Sequence, residues 1–271
     1  MWYCIDVTGI RERMKSFTDF FMNLVFILTK AVIGEMMKSM RFGLRKMTLL
    51  DFPGKVACTV FTCGCNFRCP FCHNASLVRG SETDMELSAG ELLEFLDRRK
   101  GLLDGVAVTG GEPLLHTGSA ELLKECKARN YAVKLDTNGS FPERLAEILD
   151  SGVVDYVAMD IKSSLERYDI VCGREGMKDK VMQSMELLMK GSVAYEFRTT
   201  VVNELHEVSD IEAVAQMIAG AQRYFLQNFV ETGDLLSPGA SFTGVGKEKL
   251  QAMLEAARKY VPAAEIRGTA M

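Results

Sequence analysis

From Lys55 onward, apolar runs rich in β-branched residues alternate with helical stretches, and this alternation restricts the chain to repeated βα units around a parallel sheet. "VACTVFT" (56–62) predicts the first strand, and "MELSAGELLEFLDRRKG" (85–101) contains the first helix. The pairing then recurs: "GVAVTGG" with "SAELLKECKARN", "AVKLDTNG" with "PERLAEILDSG", "DYVAMDIK" with "GMKDKVMQSMELLMKG", "YEFRTTVV" with "VSDIEAVAQMIAGA", and "RYFLQNFV" with "KEKLQAMLEAARKY". Most of these helices end on Gly or Asn, the residues that tolerate the left-handed C-cap conformation. Six units are too few to close an eight-stranded barrel, so an α/β fold with a partial (βα)6 barrel or an open sheet is expected.

In either arrangement the functional residues belong at the C-terminal ends of the strands. The unusual residues fall there: a run of cysteines after the first strand, "TGGEP" after the second, "DTNG" after the third and "DIK" after the fourth. Residues far apart in the chain are thereby brought to one mouth.

Composition narrows the partners. With 271 residues, 48% of them hydrophobic, the chain buries a full core. A net charge of -4 provides no basic stripe and argues against nucleic acid as the main partner. Of eight cysteines, five lie between Cys58 and Cys72, a clustering that favours metal binding in a reducing, cytoplasmic compartment over a disulfide framework.

The apolar run "FFMNLVFILT" (20–29) is ten residues long, short of the roughly twenty needed to cross a bilayer, so no membrane role is expected. Asp6, Glu12 and a poor cleavage site also set it apart from a secretory signal. Residues 1–39 read either as an amphipathic helix or as an upstream extension of the reading frame, with Met40 or Met47 the natural start. Residues 40–271 then form a single domain.

"TCGCNFRCPFCHN" (62–74) carries the chemistry. Cys65, Cys69 and Cys72 make C-x3-C-x2-C on one short loop. Three thiolates fill three corners of a 4Fe-4S cubane and leave one iron without a protein ligand, the open position that marks a reactive metal site. The alternative is a structural zinc completed by Cys63 or His73, in a non-enzymatic interaction module. A closed zinc knuckle takes paired ligands from two loops, and no second CxxC follows downstream, which favours iron-sulfur.

The triplet with Phe71 before its last cysteine, followed by "GGEP" at Gly110 to Pro113, resembles the radical S-adenosylmethionine enzymes over residues of about 43 to 230. In that family S-adenosylmethionine chelates the open iron and is cleaved reductively to a 5'-deoxyadenosyl radical. The resemblance implies that Gly110, Gly111 and Glu112, with Pro113 beside them, meet the methionyl amino group, and that the backbone around Phe71 meets the adenine. Asp160 and Lys162 would contact S-adenosylmethionine, and Arg198 would pair with its carboxylate. His73 and Asn138 would stand beside the cofactor, and Asp136 with Thr137 would help bind a monovalent cation. The plainer readings are a structural Asp160–Lys162 pair, an outward salt bridge for Arg198, and a simple turn at Asn138–Gly139.

"LLDFPGK", "CHN", "KLDTNG", "DYVAMDIK" and "YEFRTTVV" narrow the resemblance to activating enzymes of glycyl radical proteins, and among them to those of anaerobic ribonucleoside-triphosphate reductases. Such an enzyme takes hydrogen from a glycine Cα of its partner, with an electron from reduced flavodoxin or ferredoxin. A pyruvate formate-lyase-like partner or a small molecule is the alternative substrate. The chain departs from the pattern at Cys63, where Gln is usual, and at Asn203–Glu204, where Pro-Gly is usual. His116 and His206 read as exposed or helix-capping loop residues, and Cys58 and Cys126 as core.

Overall fold

A computed structural model describes residues 35, 37, 39–72, 74–80, 85–231, 235–237 and 239–268. The expectations for residues 1–34 and for His73 lie outside the described residues. The chain builds β1 (Arg41–Thr48), β2 (Ala57–Thr62), α1 (Ala75–Arg79), β3 (Leu87–Ser88), α2 (Ala89–Arg98), β4 (Gly105–Gly110), a 3-10 turn (Pro113–Leu115), α3 (Ser119–Ala128) and β5 (Ala132–Thr137). It continues through α4 (Pro142–Asp150), β6 (Tyr156–Asp160), α5 (Tyr168–Cys172), α6 (Lys178–Lys190), β7 (Ala194–Val201), α7 (Val208–Met217), β8 (Tyr224–Asn228), α8 (Lys247–Arg258) and β9 (Ala264–Arg267).

All strands join one sheet in the order β3-β1-β2-β4-β5-β6-β7-β8-β9. The six expected strands β2 and β4 to β8 run parallel in sequence order, as right-handed βα crossovers require. Three strands are additional. β9 pairs parallel to β8, whereas β1 is antiparallel to both β2 and β3. β1 and β9 do not pair among the described residues, so the expected partial barrel is found, longer at both edges.

Strand alternation separates two interiors. Val133, Leu135, Val157, Met159 and Phe197 point outward into the main core, packed with helix residues such as Leu92, Leu96, Leu122 and Leu188. Each such leucine contributes about 1.5–3 kcal/mol by leaving water. The intervening residues Lys134, Asp136, Tyr156, Asp160, Glu196 and Arg198 point inward, where they bond to one another along β5 and across β5, β6 and β7. At the N-terminal end of the strands Phe52, from the loop joining β1 to β2, packs with Ala57 and Tyr156 and stoppers the interior. A Cβ on Gly105 would come within 2.9 Å of the Phe52 ring, so the stopper depends on that glycine.

The helix ends follow their sequence signals. Ser88 and Glu91 form a reciprocal capping box at the start of α2. Asn130 and Gly152 take positive φ just past α3 and α4. Before β1, Met37 is buried in the core and the Met40 N–H donates to its carbonyl at 3.0 Å. Among the described residues no helix is long and apolar enough to cross a membrane.

Candidate active site

The loop leaving β2 is held from three sides by backbone hydrogen bonds. The Gly64 N–H donates to Leu77 O of α1 at 2.7 Å, Arg68 N–H to Cys172 O of α5 at 2.9 Å, and Leu236 N–H to Cys72 O at 3.0 Å. So anchored, Cys65, Cys69 and Cys72 all line one cavity of about 450 Å³ at the C-terminal ends of the strands. Cys63 is not among its lining residues, and its thiol faces Leu77 O at 3.7 Å. Burial pushes the Cys69 thiol up to about 12 and raises Cys65 as well, while the Lys162 ammonium pulls both down. Among the described residues no group of three or more His, Cys, Asp or Glu side chains is gathered to hold a single metal ion. Three thiols opening into one cavity suit the three protein-held corners of a multi-iron cluster.

The GGEP segment locks onto this loop. Gly111 N–H donates to Thr62 O at 3.0 Å and Glu112 N–H to Gly64 O at 2.9 Å. The approach is so close that a Cβ on Gly110 would stand 2.2 Å from Thr62 O, and one on Gly111 2.0 Å from Gly64 O. Both glycines line the cavity; Glu112 and Pro113 are buried and are not among the lining residues. The Glu112 carboxylate accepts from Thr137 Oγ1 at 2.8 Å and from the N–H groups of Asn138 at 2.6 Å and Leu114 at 3.0 Å. Burial outweighs these donors and pushes its carboxyl up to about 7. Glu112 therefore welds the end of β4 to the end of β5.

Asn138 also serves two purposes. Its carbonyl accepts from the Ser140 N–H at 2.9 Å, closing the expected turn, and Gly139 follows with φ 74°. Its amide donates to Asn66 Oδ1 at 3.0 Å and faces the Cys65 sulfur at 3.8 Å.

The opposite wall is a chain of alternating charges. Lys134 pairs with Asp136. Arg198 spans from Asp136 Oδ2 at 3.1 Å to Asp160 Oδ1 at 2.8 Å, and Lys162 Nζ meets Asp160 Oδ2 at 3.1 Å. Burial opposes the charge on both aspartates, yet Arg198 with Lys134 holds Asp136 below the usual carboxylate range, and Arg198 with Lys162 does the same for Asp160. Asp160 and Lys162 do form an ion pair, and they line the cavity as well. Arg198 is paired, but it faces inward. At the cavity itself Arg198 and Lys162 balance Asp136 and Asp160, and Lys134 lies buried behind Asp136 and is not among the lining residues.

Several lining residues were not singled out in the sequence. Thr200, Gln227, Asn228 and Arg267 extend the cavity along β7 to β9. Their signal was position alone: each stands at or just beside a strand's C-terminal end. Arg267 lies 3.5 Å over the Phe225 ring and binds Glu196 bidentately at 2.6 and 2.9 Å.

Of the two described histidines, His116 caps the 3-10 turn Pro113–Leu115, as the helix-capping reading expects, and His206 departs from it. His206 is fully buried, accepts from the Val202 N–H at 3.0 Å, and donates from Nε2 to Lys162 O at 2.8 Å. Its ring stands edge-on to Phe71 at 6.5 Å. His116 is half-buried and contacts the Cys63 carbonyl. Cys58 and Cys126 are buried, as expected. Where Pro-Gly was expected, Asn203 N–H donates to Thr243 O at 2.9 Å and Glu204 accepts from the Thr243 N–H at 2.9 Å, pinning the loop before α8.

Three cavity-facing cysteines on the first βα loop of an incomplete barrel, with a glycine-glycine-acid turn beside them, define a class of cluster-dependent radical enzymes. The chain belongs to the Radical SAM superfamily, whose family model matches residues 59–218. It is 30% identical to a Methanocaldococcus jannaschii protein provisionally named a glycyl-radical enzyme activating enzyme, over 85% of this chain and 97% of that one. It is 37% identical to the pyruvate formate-lyase-activating enzyme of Clostridium pasteurianum, over 44% of this chain and 51% of that one. Among solved structures, Streptococcus suis SuiB bound to S-adenosylmethionine superposes with a TM-score of 0.59 at 15% identity, covering 76% of this chain and 48% of that one.

Membership implies a 4Fe-4S cluster and S-adenosylmethionine. The residues present fit such a centre. The three thiols are soft ligands free of disulfides, they open into one cavity, and the Asn138 amide already faces the Cys65 sulfur.

Proposed function

We propose that the chain is an activating enzyme that places a glycyl radical on a partner protein, anaerobic ribonucleoside-triphosphate reductase being the favoured partner. One observation carries the reading: Cys65, Cys69 and Cys72 open into the same cavity as the Asp136–Arg198–Asp160–Lys162 wall. The similarity to a glycyl-radical enzyme activating enzyme over most of both chains supports the substrate class.

Cys65, Cys69 and Cys72 would hold the iron. When bound, the cluster supplies the electron that cleaves the S-adenosylmethionine sulfonium. The chain's own residues orient that molecule. Lys162 and Arg198 would meet its carboxylate, Gly110 and Gly111 leave room beside the cysteine loop, and Phe71 with Phe229 gives an apolar surface for the adenine. A monovalent cation beside Asp136 and Thr137 belongs to the same reading and would share Asp136 with Lys134 and Arg198. The open edge of the barrel leaves room for a loop of the partner protein to reach the cavity. The electron would come from reduced flavodoxin or ferredoxin in the cytoplasm, and residues 40–271 would act as one domain.

The test mixes anaerobically reconstituted, reduced protein with S-adenosylmethionine and candidate partners, and follows the glycyl radical by electron paramagnetic resonance. The expected result is 5'-deoxyadenosine formation with a glycyl signal on the reductase. A signal only on a pyruvate formate-lyase-like protein reassigns the partner. A loaded cluster that forms 5'-deoxyadenosine but gives no partner a signal overturns the activase reading.

A further inference from the structure

We propose that Gln227, with Thr200 beside it, grips the main chain of the partner loop that carries the target glycine, its side-chain amide bonding both the N–H and the C=O of one residue of that loop. The inference rests on the reading of the chain as an activating enzyme and names the group on the partner that the cavity recognises.

Strand alternation and register bring the two side chains together. On β7, Phe197 and Val201 face the main core, so Arg198 and Thr200 face inward; on β8, Tyr224 and Leu226 face the core, so Phe225 and Gln227 face inward. The parallel register sets Thr200 opposite Gln227 and Gln227 opposite Arg267, one rung across β7, β8 and β9. All three line the cavity that Cys65, Cys69 and Cys72 border. Thr200 stands one inward position beyond Arg198 along β7, so the rung lies on the mouth side of the charged wall. Val230 and Gly268, both exposed, line the same cavity beyond it and form the rim over which a visiting chain arrives.

The polar groups of this side differ in what they have left to offer. Asn228 is committed to Val245, donating to its carbonyl at 3.0 Å and accepting from its N–H at 2.9 Å. The Arg267 guanidinium is held by both oxygens of Glu196, which cancels its charge. Among the described residues, neither the Gln227 amide nor the Thr200 hydroxyl has a hydrogen-bond partner. The rung therefore presents an uncharged donor and acceptor to the mouth.

That chemistry selects a main chain. A glycine has no side chain, so the only polar groups it presents are its peptide N–H and C=O. The Gln227 amide carries a carbonyl acceptor and NH2 donors in one plane, the match for those two groups. Two strand residues exchange the same pair of bonds in an antiparallel hydrogen-bonded pair. The Thr200 hydroxyl, able to donate or accept, takes the next peptide group. A carboxylate finds its charged donors at Lys162 and Arg198 instead, so cofactor and partner are sorted to different parts of one wall.

The experiment follows glycyl radical formation on the partner by electron paramagnetic resonance with the cluster-loaded enzyme, varying the partner and S-adenosylmethionine in turn. Gln227→Leu, close in volume but without donor or acceptor, should raise the KM for the partner about tenfold, the worth of two neutral hydrogen bonds, and shift the KM for S-adenosylmethionine by less than about twofold. An unchanged KM for the partner overturns the proposal. Equal rises in both KM values assign Gln227 to the cofactor and also overturn it. If Q227L does not load iron, Thr200→Val should raise the partner KM about threefold, and no rise overturns the proposal. A wild-type enzyme that forms 5'-deoxyadenosine but gives no partner a glycyl signal overturns the activating-enzyme reading itself, which separates the two failures.

Discussion

The buried imidazole of His206 donates to the carbonyl of Lys162 at 2.8 Å while accepting the Val202 N–H at 3.0 Å, so one side chain joins the end of β6 to the end of β7. That geometry needs a neutral ring with its proton on Nε2. Burial lowers the His206 pKa, opposed by the carbonyls of Lys162 and of Val202, the latter 3.3 Å from Nδ1, and by Asp210, with Arg167 reinforcing the shift. The unfolded chain takes up a proton near pH 6.5, and the native state resists it. The contribution of His206 to stability is therefore present above pH 6.5 and lost as pH falls below it. The variant His206→Gln keeps a donor and an acceptor but does not titrate. In urea denaturation between pH 8 and pH 5, the wild type should lose stability relative to the variant on the acid side, and parallel profiles would contradict this role.

Iron content separates the cysteines. Alanine at Cys65, Cys69 or Cys72 should abolish stable uptake of about four irons per chain on reconstitution. Serine at Cys63, whose thiol faces Leu77 O and which is not among the cavity-lining residues, should leave iron content and the visible absorption of the cluster unchanged.

Removing Arg198 leaves two half-buried carboxylates with one cation each, Asp136 with Lys134 and Asp160 with Lys162. Arg198→Ala should lower unfolding free energy by less than the roughly 3–5 kcal/mol of a buried charge left wholly unpaired, because Lys134 and Lys162 stay in place. Arg198→Lys keeps the charge but has no planar fork to bridge Asp136 and Asp160, so most of the loss should persist. Chemical denaturation of the metal-free proteins at pH 7.5 measures both.

Gly111→Ala tests the contact between the two motif loops. A Cβ there would stand 2.0 Å from Gly64 O, so the cysteine loop has to move. The variant should lose at least about 1–3 kcal/mol of stability through overpacking and bind iron poorly. Gly90→Ala, where a Cβ meets nothing within 4 Å on α2, is the matched control and should be neutral or slightly stabilising.

The parallel core was legible because each of its strands carried its own apolar run, and the first four of them are followed by unusual residues. β1 escaped because "RFGLRKMT" is charged and half exposed, a strand defined by its partners β2 and β3 and not by its pattern. β3 is two residues long, and β9 is four with two charges, too short for periodicity to register. At the site, the cysteine triplet was readable from spacing. The contacts of Glu112 with Thr137, Asn138 and Leu114 were not, because they depend on how two loops stack above the sheet. His206 was misjudged because nothing in "NELHEV" announces that its ring turns inward against Phe71.

The incomplete barrel leaves β9 as a rim, and an unpaired strand edge is a template on which other chains can add. This rim is poorly suited to that. It offers four residues, Pro262 precedes it, Glu265 is exposed, and Arg267 is drawn inward to Glu196. This rim is thereby kept from seeding sheet growth between neighbouring molecules, and the fold stays open without becoming adhesive.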